Sequence, residues 1–258
     1  MRVKAYEEVA RRVAADLAAA GVADGTLLDS ETEMAARYAV GRSTVREALR
    51  LLETWGVIKM RVGRNGGPVV QHPNPTDIGD HLGVIMQFAG ASLADLLDVR
   101  AVLDVQVAVL AAKRATPEEV VALREAVEEM GRHVDDGQSY LELNARFFQL
   151  LGTASRNHAL QVLLESVIAI SSRILQKLAD QPTWRALSVS LRHGIVDAIA
   201  EGDAVAAGER MEQLRATVKS WYEELHEEAM LRPIDVLSVT TPLALDATSG
   251  PDYLRKIV

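Results

Sequence analysis

The stretch HPNPTD, His72–Asp77, carries two prolines with one residue between them and divides the chain into parts of unlike pattern. Proline removes a backbone donor and crowds the preceding helical turn, so no continuous helix or central strand crosses both positions. Before this break, short apolar periodicities alternate with turn residues. After it, one helical periodicity follows another with hardly a strand signal. The expected organisation is therefore a domain over 1–72, a linker at 73–76, an all-helical domain over 77–230 and a tail over 231–258. At 258 residues the chain is long enough for two cores.

Composition narrows the class further. Aromatic residues make up only 4% of the chain, and Ala and Leu abound, which suits helices better than a large β-sandwich. There is no cysteine, so disulfides and thiolate chemistry are excluded and a reducing cytoplasm is compatible. The N-terminal stretch is charged throughout and lacks the apolar centre of a signal peptide. No apolar run long enough for a membrane span is expected, so the chain reads as soluble and cytoplasmic. The net charge is −8, but it is unevenly spread. Residues 42–64 hold 6 Lys and Arg against 2 Asp and Glu, a local basic patch on an acidic chain.

Within the first domain, Val9, Val13 and Leu17 repeat at helical spacing over Tyr6–Ala20. Ser30, with Glu33 three residues on, starts a short second helix that buries Met34, Ala35 and Tyr38. Ala39–Gly41 is a turn, and a third helix from Ser43 to about Trp55 buries Val45, Ala48, Leu49 and Leu52. Val57, Ile58 and Met60 before a Gly-rich tip, with Val69 and Val70 after it, predict a β-hairpin. Three helices and a hairpin make a winged helix-turn-helix. In the all-helical part, helices are expected near 77–89, 92–114, 117–135, 138–154, 157–179, 184–201 and 203–230. The fold class is mainly α, the head being followed by a bundle of six to seven helices.

The third helix carries the chemistry. A helix entering the major groove presents its N-terminal end, where small or polar residues let backbones approach and donors meet phosphates and base edges. Arg42, Ser43 and Thr44 stand there; Arg46, one turn on, can grip a guanine edge bidentately, and Arg50 continues the line toward a phosphate. In the hairpin, Arg61, Arg64 and Asn65 surround Gly63, Gly66 and Gly67, so a slim cationic tip can press against the sugar-phosphate wall. A lone basic helix face is more often merely solvated. A capped helix before it and a basic hairpin after it favour double-stranded DNA as the partner.

At these residues the chain resembles the GntR family of bacterial transcription regulators. The likeness runs over Leu27–Val70, through SETEMAARYAVGRSTVREALRLLETWGVIKMRVGRNGGPVV. Gly41 stands where the family's core usually has Ser or Thr, removing a phosphate-binding hydroxyl, and Thr32 stands where several members have Arg. The remainder, over roughly Asp77–Glu228, resembles the effector-binding and dimerisation domain of the FadR subgroup, with Arg100 at a position that commonly faces its pocket. Members often hold a divalent metal through one Asp and three His. Aligned on that pattern, the four positions are Asn144, Phe148, Arg192 and Leu214, so no metal and no other cofactor is expected; His193 lies one residue off register.

Such a pocket would be apolar at Phe148 and Leu214 and cationic at Arg192 and Arg100. A buried Arg demands a partner: Asp104, Asn144 with water, or an anionic ligand. An amphipathic acid, a fatty acid or acyl-CoA, would satisfy both parts as effector, its tail against Phe148 and Leu214 and its acid group on arginine. A small carboxylate or sugar acid, or no effector at all, are the alternatives. The sequence shows no nucleophile–base pair or phosphate loop, and no enzyme is expected. A homodimeric, ligand-responsive repressor on a near-palindromic operator is the reading that results.

Overall fold

The computed structural model describes residues 4–63, 66–175 and 182–236. Two compact units emerge, Met1–Ile78 and Gly79–Val258. The first is a winged helix-turn-helix: α1 (Ala5–Ala20), α2 (Glu31–Arg37), α3 (Arg42–Thr54), β1 (Ile58–Arg61) and β2 (Gly67–Val70). Ser30 and Glu33 close a reciprocal capping box at the start of α2, satisfying two backbone donors that a helix end would otherwise leave bare. The turn that follows holds Ala39 in the left-handed region at φ 54, a strain of about 1–2 kcal/mol for an L-residue.

The amphipathic α3 turns Val45, Ala48, Leu49 and Leu52 inward, where they meet Val9, Ala10 and Val13 of α1 and Met34 and Tyr38. Each fully buried Val or Leu contributes on the order of 1.5–3 kcal/mol, so this stripe fixes which α3 face is left outside. In the hairpin, Ile58 pairs with Val70 and Arg61 with Gly67; the period-2 alternation buries Ile58 and Val70. Met60, on the same strand, is 40% exposed. The strand signal also missed an edge: Leu27 bridges to Val69, and Val70 donates to the Thr26 carbonyl at 2.8 Å.

Helix α4 (Pro75–Phe88) begins in the last residues of the first unit and continues into the second, which also comprises α5 (Leu93–Arg114), α6 (Pro117–Arg132), α7 (Gly137–Ala154), α8 (His158–Leu175), α9 (Pro182–Glu201) and α10 (Ala204–Leu231). Pro75 opens α4 instead of lying in a linker, because a first helical position needs no amide donor. Capping boxes at Ser92–Asp95 and Thr116–Glu119 start α5 and α6, and Asp136 and Asp203 cap α7 and α10. The helix expected to reach 135 stops at Arg132, where His133 leaves helical geometry at φ −116. Residues 176–179 of the expected fifth body helix lie outside the described residues.

The hub is α5, which packs against α7, α8, α9 and α10. Long and apolar enough to cross a membrane by length and composition, α8 nonetheless carries Glu165 and Arg173 and packs on α5 and α7. Helix α4 approaches α8 closely: a Cβ on Gly79 would sit 2.9 Å from the Ser166 carbonyl oxygen. The start of the expected tail is packed too. Pro233 bridges to Ser92, and Ile234 is buried with Leu96, Val167 and Ile170. Residues 237–258 lie outside the described residues.

Candidate functional site

Two sets of side chains remain once the cores are accounted for, one on each unit. On the head, Arg42, Ser43, Arg46 and Arg50 are exposed along one side of α3, with Thr44 half-buried behind them. Gly41, at the N-cap in extended conformation, makes no side-chain cap. The first-turn amides of α3 are thus not closed off by a cap side chain, and a helix N-terminus with bare amides attracts phosphate oxygens.

Arg46 is already shaped. Its Nε and a terminal nitrogen donate to the two carboxylate oxygens of Glu31, at 3.2 and 2.9 Å. The hydrogen bonds from Arg46, aided by the charge of Arg42, hold the Glu31 carboxyl below its usual range. A forked pair of this kind fixes the guanidinium plane and leaves its remaining N–H edge to a base. Glu31 was not singled out in the sequence; its only signal was an acid at the first position of α2. Arg50 pairs with Glu47 at 2.9 Å.

The hairpin brings Arg61 and Gly63 to the exposed tip beside α3 in sequence order. Gly63 is at φ 126, and a Cβ on Gly66 would lie 2.3 Å from the Arg61 carbonyl oxygen. Only glycine allows so tight a closure. Arg64 and Asn65, expected to complete the tip, lie outside the described residues.

On the helical unit, Arg100 and Asp104 from α5, Asn144 from α7, Arg192 from α9 and Arg215 from α10 converge, all buried. One Asp104 oxygen receives Arg100 at 3.2 Å and Arg215 at 3.1 Å. Arg192 has neutral partners: the Asn144 amide oxygen at 2.6 Å, the Ser188 carbonyl at 3.1 Å, the Ser188 hydroxyl, and the Tyr140 hydroxyl at 3.5 Å. Arg192 thus takes Asn144 and not Asp104 among the partners expected for it. The Phe148 ring faces all three guanidiniums, 4.7 Å from Arg100, 5.7 Å from Arg192 and 5.4 Å from Arg215, a favourable cation–π arrangement.

Burial, the dominant cause, pushes Arg192 below its ordinary value and Arg215 down to about 9. Arg215 therefore stays charged at neutral pH. Arg100 Nε, Arg192 Nε, Arg215 Nε and Asp104 Oδ1 are buried with no hydrogen-bond partner. Beside them lies a cavity of about 40 Å³ whose walls include Arg100, Asn144, Arg192, Arg215, Tyr140 and Trp184.

One expectation is corrected here. Phe148 and Leu214 do not line this cavity; both are fully buried in the main core. One residue along a helix is a step of about 100°, so Arg215, not Leu214, reaches the cavity wall from α10. Its signal was a charge inside an apolar stripe, since Met211, Leu214, Val218 and Tyr222 around it are all buried. The donors also do not fit a divalent metal. No group of three His, Asp or Glu gathers among the described residues, and three guanidiniums stand where a dication would have to sit.

The comparisons agree with both halves. Residues 5–66 match the family described as bacterial regulatory proteins, gntR family, and residues 95–216 match the FCD domain. The HTH-type transcriptional regulator LutR of Bacillus subtilis is 31% identical over 156 residues, covering 60% of this chain and 69% of LutR. The HTH-type transcriptional repressor NanR of Citrobacter rodentium is 25% identical over 205 residues, 77% of this chain and 78% of NanR. The solved structure of a Streptococcus agalactiae GntR protein superposes with a TM-score of 0.66 at 26% identity, covering 83% of this chain and 99% of that one. A winged helix-turn-helix with an arginine-lined face, followed by an FCD bundle, places this chain in the GntR family of DNA-binding transcriptional regulators.

Proposed function

We propose that this regulator is a homodimeric, cytoplasmic repressor that releases a near-palindromic operator when its helical unit takes up an anionic effector. Arg42, Ser43, Thr44, Arg46 and Arg50 read the major groove. Arg61, Gly63, Arg64 and Asn65 of the wing follow the adjoining backbone. Two linked heads gain affinity by engaging two half-sites together. A repressor fits the role of NanR, a transcriptional repressor, and the succession of body helices fits a FadR-type sensor over an enzyme.

The observation that carries the effector reading is the excess of guanidinium over carboxylate within the buried cluster of Arg100, Arg192, Arg215 and Asp104, three against one. Ions withdrawn from water cost several kcal/mol each unless they are paired, so an anion is the natural complement. The geometry favours a small acid over a fatty acid or acyl-CoA. A cavity of about 40 Å³ is far below the roughly 300–1,000 Å³ of drug-sized ligand pockets, and Phe148 and Leu214 offer no surface to a tail.

Selection of duplexes from a random pool with the full chain tests the reading. The expected product is a two-fold related site with half-sites about one helical turn, or a multiple, apart. Small organic acids added to that complex should lower the affinity. A single unrepeated half-site bound by a monomer contradicts the dimer, and indifference to every acid contradicts the sensor.

A further inference from the structure

We propose that Arg100, Arg192 and Arg215 form a metal-independent site for one small dianion, bound by the two positive charges that Asp104 leaves uncompensated. The inference rests on the effector reading above and narrows it to a charge class.

Three guanidiniums converge against one carboxylate, so the cluster carries a formal charge of +2 in a nearly dry setting. The excess has a location. Asp104 serves Arg100 and Arg215 through a single oxygen, whereas Arg192 meets only amide, carbonyl and hydroxyl oxygens. Each of the three Arg residues keeps its Nε–H buried and unused, a donor that forked recognition of an oxyanion would employ. A monoanion leaves one charge uncovered, and a divalent cation adds two more. A dianion closes the balance.

Size sets the second limit. A single water needs about 10–15 Å³ of such space, so about 40 Å³ suits a compact anion of a few heavy atoms and no long chain. Hydrogen phosphate and a short dicarboxylate share this chemistry. The Phe148 ring lies within about 6 Å of all three guanidiniums and attracts them through its quadrupole.

The test uses the full chain, dialysed against EDTA and then titrated separately with inorganic phosphate, malonate and acetate against chloride of matched ionic strength. Melting temperature and tryptophan fluorescence are followed, because Trp184 lines the cavity. Expected is a saturable rise in melting temperature with phosphate or malonate, at least about tenfold tighter than with acetate, and unaltered by added zinc. Whichever of the two saturates at lower concentration identifies the source of the dianion. Arg192→Met and Arg215→Met should each abolish the response; should either fail to fold, the comparison of anions on the unaltered chain decides alone. Equal binding of acetate and malonate, a response that needs a divalent metal, or none beyond chloride overturns the proposal. Saturable dianion binding that leaves operator affinity unchanged sustains this site and overturns only the effector reading.

Discussion

Arg46 and Arg192 are both arginines with a pre-set plane, one at the surface and one sealed in a core, and the difference decides what each can do. Arg46 keeps an edge toward solvent while Glu31 holds the other. Arg46→Ala should cost about 1–3 kcal/mol at one base position, measured by competition among duplexes varied at single sites; equal loss on every duplex would make Arg46 a phosphate contact. In the helical unit, Asp104→Ala should cost about 3–5 kcal/mol of stability, because it strips two buried guanidiniums of their shared counter-charge. Denaturant unfolding checks it, and an unchanged midpoint contradicts the charge count. The residues legible in the sequence were those whose type was conspicuous in its place: Arg46 on an exposed helix face, Arg192 inside a largely apolar helix stripe. Glu31 and Arg215 escaped because each acts through a partner far along the chain, Arg46 and Asp104, and such pairings exist only after folding.

Elements were far more legible than pairings. Stripes such as Val45, Ala48, Leu49 and Leu52 on α3 state both the helix and its buried face, and Ser-x-x-Glu or Thr-x-x-Glu capping boxes announce where a helix begins. The third edge at Leu27–Val69 was not legible, since a one-residue bridge has no period to detect. Where glycine is demanded by closure, an element can be tested without touching the core. Gly66→Ala would place a Cβ against the Arg61 carbonyl and open the wing tip. DNA affinity should then fall on all sequences alike, with a shallower salt dependence, while the melting of the unit changes little. Loss confined to one operator sequence would mean the tip reads bases instead of backbone.

At the scale of the whole molecule, a basic reading face belongs to a chain of net charge −8. Acidic surface elsewhere suppresses indiscriminate adhesion to nucleic acid and leaves contact to the head. The internal cluster is the reverse, cationic inside an acidic chain, and its pH behaviour follows from burial. Arg215, facing Asp104, Arg100, Arg192 and Tyr140, is brought down to about 9. Anion binding needs its proton. Affinity for malonate should therefore be flat through neutral pH and weaken as pH rises past about 9; weakening on acidification alone would point to a different group.

The most direct trial joins the two units through their function. Affinity of the full chain for its selected operator is measured during a malonate titration at constant ionic strength, for the unaltered chain and for Arg215→Met. The account predicts that malonate releases DNA from the unaltered chain and leaves the Arg215→Met complex intact. Identical curves for the two proteins, in either direction, would contradict it.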